Sequence, residues 1–122
     1  MKRTLVQCAE VTLQADAAPE GPGGAVTVAL CGSWDHAGAC RWPHHTSAEW
    51  DERRGRVRVV FVVDPEDANH VRTLIEQALA NGECLGPDGK LSRWKATEHS
   101  PGIPTVSEEV FGANMAGLPG AE

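Results

Sequence analysis

The 122 residues (13.0 kDa) suit one domain and leave no room for a second core of ordinary size. With 41% hydrophobic and 23% charged residues, the composition excludes a disordered polyelectrolyte and a chain built of membrane spans. A formal net charge of −6 argues against broad attachment to nucleic acid or anionic lipid.

The first ten residues hold two basic side chains, but Gln7 and Glu10 interrupt any apolar stretch of signal-peptide length. A cytoplasmic protein is expected, with Cys8, Cys31, Cys40 and Cys84 as free thiols or metal ligands rather than disulfides.

Residues 4–13 read as a strand in which Leu5, Ala9, Val11 and Leu13 share one face and Gln7 is the exception. The breaker-rich stretch 16–24 reads as an exposed loop, and alternation of Val26, Val28 and Leu30 predicts a second strand over 25–32. Val57 to Val63 is nearly all β-branched or aromatic, and its later part is apolar on both faces, which predicts an interior strand. Arg53-Arg54-Gly55 marks the turn that feeds it.

A helix is predicted over 65–81. Asp64 suits its N-cap, Pro65 its first position, and Asn81-Gly82 its stop. Ala68, Val71, Ile75, Ala78 and Leu79 form its apolar stripe. After a turn at Gly86–Gly89, residues 91–97 suggest a short strand, with Cys84 and Trp94 packing beside it. Beyond His99 the chain is rich in Pro and Gly, with a helical turn or two at 107–115. Val110, Phe111, Met115 and Leu118 could dock there on a free sheet face or on a second subunit.

The expectation is an α+β fold: a small antiparallel sheet of about four strands, in the order β-β-β-α-β, with one main helix (65–81) on one face. Residues 1–98 would form the domain, with an irregular insertion at 31–54, and 99–122 its tail.

That insertion holds two of the four Cys, three of the five His and three of the four Trp of the chain. Cys31, His36, Cys40 and His44 follow the pattern C-x4-H-x3-C-x3-H, whose thiolate and imidazole donors suit tetrahedral zinc. No two of these cysteines are close enough for the usual zinc knuckle, and each could equally be a packing or surface residue. Asp35-His36, His44-His45, Glu49 and Asp51 could supply a general base with its orienting carboxylate, or the two-His, one-carboxylate centre of a small metal-dependent hydrolase, although no established catalytic motif is present. Trp34, Trp42 and Trp50 recur every eight residues and, rimmed by Arg41 and Arg53, resemble the anchors of a protein interface. They could instead supply core volume, since the chain has two Phe and no Tyr.

The reading favoured from sequence is a non-enzymatic binding or assembly module. It would contact a protein partner or a second copy through Trp34, Trp42, Trp50, Arg41 and Arg53, without nucleic acid or membrane. A zinc-ordered form held by Cys31, His36, Cys40 and His44 is the alternative.

Overall fold

The computed structural model describes residues 2–31 and 42–116, the side chains of 115 and 116 excepted. Five strands form one antiparallel sheet: β1 (Arg3–Leu13), β2 (His44–Asp51), β3 (Arg54–Val63), β4 (Glu83–Leu85) and β5 (Leu91–Gly102). Three helices accompany them: α1 (Gly21–Cys31), α2 (Ala68–Asn81), entered through a 3-10 turn at Pro65–Asp67, and α3 (Val106–Ala116). The strand order is β2-β3-β1-β5-β4. With β4 set aside as a short addition, the chain traces the β-α-β-β-α-β path of a split βαβ sandwich.

The α+β class stands, but the expected order β-β-β-α-β with four strands and one main helix is corrected. The largest change is at 25–32, which is helix and not strand. Val26, Val28 and Leu30 alternate, yet Pro22, Val26 and Leu30 also fall four residues apart and all three are buried, whereas Val28 is exposed. The helix also begins inside the stretch read as loop. A Cβ at Gly21 would stand 3.1 Å from Ser92 Cβ and 3.2 Å from the Trp94 ring, so a glycine there lets α1 lie close on β5.

In β1, β3 and α2 the apolar pattern of the sequence and the fold agree. Leu5, Ala9, Val11 and Leu13 of β1 face α1 and α2, joined by Val57, Val59, Phe61 and Val63 of β3 and by Val71, Ile75 and Leu79 of α2. The polar exception on that face is explained by α2: Arg72 Nη1 donates to Gln7 Oε1 and to the Val6 carbonyl, both at 2.7 Å. The Arg72 guanidinium also stands 5.4 Å from the centre of the Phe61 ring, and burial lowers its pKa. Asp64 makes no side-chain cap for the helical segment; its carboxylate meets Lys2 Nζ at 3.2 Å instead.

The opposite face of the sheet is covered by α3. Phe111 packs on Val6, Cys8 and Val60, which bears out the docking expected of that residue. β5 runs five residues beyond its predicted end, through a bulge opposite Ala9 where Glu98 takes a φ of 53°.

Candidate functional site at the outer edge of β2

The second half of the segment expected to be irregular is an edge strand. β2 joins β3 through a two-residue turn, Glu52-Arg53, in unbroken register from His44 opposite Phe61 to Asp51 opposite Arg54. The hairpin forms without Gly in its turn, since Glu52 itself takes the left-handed conformation at φ 57°. The opposite edge of the sheet is β4, only three residues long.

Side chains of β2 alternate strictly. His44, Thr46, Ala48 and Trp50 are half-buried toward α1, while His45, Ser47, Glu49 and Asp51 are exposed on the α3 side. The main-chain groups alternate as well. Val62 N–H donates to the Pro43 carbonyl at 2.9 Å, so the odd-numbered residues of β2 are those hydrogen-bonded to β3. The N–H and C=O groups of Thr46, Ala48 and Trp50 therefore point outward, and among the described residues no strand pairs with them.

Between that edge and the first turns of α1 lies a cleft of about 450 Å³. Gly23, Gly24 and Thr27 line its helix side; His44, Thr46, Ala48 and Trp50 line its strand side. Thr27 Oγ1 is 3.1 Å from His44 Nε2, and His44 Nδ1 is 3.2 Å from the Trp42 carbonyl. The Thr46 hydroxyl is buried and has no hydrogen-bond partner among the described residues. Such a group is costly to leave unmet, by about 1–3 kcal/mol.

The residues singled out from sequence fall into three groups. Trp34, His36, Cys40 and Arg41 lie outside the described residues. Trp42 is buried at 7% exposure and meets His70 edge-on, with ring centres 5.7 Å apart. Trp50 is half-buried against the core, and Arg53 stands exposed in the hairpin turn, where its carbonyl accepts from Leu13 N–H at 2.7 Å. Trp42 and Trp50 are thus part of the packing, while Arg53 is at the surface.

Cys31, at the last turn of α1, has its Sγ 3.8 Å from His44 Nδ1. Cys31 is disulfide-bonded, whereas Cys8 and Cys84 are not part of a disulfide, so among the described cysteines the expectation of thiols or metal ligands is corrected at Cys31. Of the residues that could form a catalytic centre, Asp35 and His36 lie outside the described residues, and the strand parity separates His44 from His45, Glu49 and Asp51. Among the described residues, the three ligand-type side chains that gather within reach of one ion are Asp64, Glu66 and Asp67, surface carboxylates at the entry to α2.

Sequence reasoning missed the open edge and its two threonines, Thr27 and Thr46. The available signal was the period-two pattern of 44–51, weak because only Thr46 is β-branched and only Ala48 and Trp50 are apolar. No helix of the described residues is long and apolar enough to cross a membrane. Comparison of the chain with protein-family models, with curated proteins and with solved structures gives no match.

Proposed function

We propose that the chain is a non-catalytic binding module that takes up an extended segment of a protein partner along the outer edge of β2. The observation that carries this reading is the outward row of main-chain groups at Thr46, Ala48 and Trp50, beside a cleft. An added strand would gain main-chain hydrogen bonds from that row, and every second side chain would enter the cleft, which confers selectivity. Trp50 and Ala48 offer apolar contact there. β2 has no Pro, no Lys and no bulge, the devices that usually block pairing at an edge. Segment 31–54 remains the contact region, with the main chain of its second half as the principal element. Arg53 is a rim residue, and Trp34 and Arg41 are proposed to extend the surface.

The test is selection of extended peptides from a displayed random library on the purified chain, with the Ala48→Pro variant as control. Proline at 48 removes an outward N–H and no bond to β3, so the fold should persist by circular dichroism. Enriched peptides that lose binding to Ala48→Pro are expected. Absence of enrichment, or binders indifferent to the substitution, would overturn the proposal.

A second reading, zinc binding, is favoured by the approach of Cys31 Sγ to His44 Nδ1 at 3.8 Å. Zn–S and Zn–N bonds of about 2.3 and 2.0 Å at a tetrahedral angle put the two donors about 3.5 Å apart. Thr27 Oγ1 on His44 Nε2 supplies the kind of outer hydrogen bond that fixes a ligating imidazole. Cys31 would serve only once its disulfide is reduced, with His36 and Cys40 proposed to complete the set. Native mass spectrometry of the reduced chain should then show one zinc that a chelator removes; a metal-free reduced chain would contradict this reading.

A further inference from the structure

We infer that one occupant of the β2 edge is the β2 strand of a second copy, paired antiparallel about a two-fold axis through Ser47. The inference rests on the strand-addition reading above and specifies its partner. Its starting point is parity. Only residues whose main-chain groups point outward can form hydrogen-bonded pairs across such a junction, and in β2 these are the even-numbered ones. Even must therefore face even, and odd must face odd. Two registers share the longest overlap under that restriction, seven residues each, with the axis at Ser47 or at Ala48. The second would set His45 opposite Asp51 of the partner subunit, at the end of the strand. The first keeps opposite charges within two residues of the centre, and it places Ser47 opposite its own counterpart, Thr46 opposite Ala48 of the partner subunit, and His44 opposite Trp50 of the partner subunit.

The same register sets His45 opposite Glu49 of the partner subunit, twice by symmetry. Both side chains are exposed on the α3 side of the strand. They belong to a pair without main-chain hydrogen bonds, the kind in which side chains approach most closely. Within one copy, Glu49 stands beside Arg56 in the register, but the Arg56 guanidinium leans to Glu10, at 3.8 Å. His45 lies against Phe111 of α3, with ring centres 5.9 Å apart, which restricts its imidazole. A strand that carries a basic group two residues before its midpoint and an acidic one two residues after it is complementary to its own reverse. The net charge of −6 on each copy opposes association generally, so the local His–Glu match has to select the register. The product is a continuous ten-stranded sheet with α1 and α2 of both copies on one face.

Sedimentation velocity of the full chain over a concentration series provides the test, with three variants. The wild type should show a concentration-dependent dimer, and Ala48→Pro should sediment as monomer throughout. His45→Glu, which sets two carboxylates opposite each other, should weaken the dimer roughly tenfold, and His45→Glu/Glu49→Lys should recover it. A monomeric wild type with peptide binders sensitive to Ala48→Pro would overturn self-pairing and leave strand addition standing. A dimer unaffected by Ala48→Pro would place the interface elsewhere and overturn the inference. A dimer lost in Ala48→Pro but unmoved by both charge variants would overturn the register.

Discussion

Arg58 and Glu108 lock α3 onto the sheet through a two-pronged ion pair. Arg58 Nε and Nη2 each donate to one Glu108 carboxylate oxygen at 2.7 Å, and Nη2 also donates to the Ile103 carbonyl at 2.8 Å. Glu108 at the same time closes a reciprocal cap with Thr105: Thr105 N–H donates to Glu108 Oε1, and Glu108 N–H to Thr105 Oγ1. One carboxylate thus starts the helix and fixes its position.

The Arg58 hydrogen bonds hold the Glu108 carboxyl at about 2, below its ordinary 4.5. A lowered carboxyl pKa stabilises the fold fully above pH 4.5, and that stability is lost as pH falls toward 2. Glu108→Gln should therefore lower stability by about 1–2 kcal/mol at neutral pH and by less at pH 2. Chemical denaturation at the two pH values checks this. A penalty equal at both would mean that the charge of Glu108 plays no part.

Where α3 crosses β1, Gly112 lies against Thr4, and a Cβ at 112 would overlap the Thr4 side chain. Gly112→Ala, ordinarily stabilising within a helix, should here cost about 1–3 kcal/mol and make the C-terminal segment more sensitive to protease. Adding Thr4→Ala should recover part of the loss. Additive losses in the double variant would show that the two residues do not meet.

Arg72→Met would leave Gln7 Oε1 without the donor that Arg72 supplies, at a cost of about 1–3 kcal/mol. Gln7→Leu in the same chain should make that loss smaller than the sum of the single changes, because an unmet buried group is removed with its partner. Thermal unfolding of the four chains closes the cycle.

Trp42 separates packing from recognition. Its burial predicts that Trp42→Ala lowers stability by about 3 kcal/mol or more. A variant as stable as the wild type would instead return Trp42 to the role of an interface anchor.

The elements legible in sequence were those whose pattern has one solution. β1 and β3 carry long β-branched alternation, and α2 combines a wide apolar stripe with Pro65 and Gly82 at its ends. α1 was misread because Val26-Thr27-Val28-Ala29-Leu30 satisfies both periods, and only the packing of Pro22 and Gly21 against the sheet decides between them. β2 went unseen because an edge strand with a polar outer face needs few apolar residues. Of the candidate site, the segment was found and His44 with it. The groups argued to do the binding are main-chain ones, which composition cannot display.

The central claim, that the outer edge of β2 is open to a strand, is tested most directly by residue-resolved amide hydrogen exchange at low protein concentration. The account predicts fast exchange at Thr46, Ala48 and Trp50 and protection at Ser47 and Glu49, with the three outward amides becoming protected as concentration rises. Outward amides as slow as Ser47 and Glu49 at the lowest concentration would mean that the edge is already covered, and would contradict it.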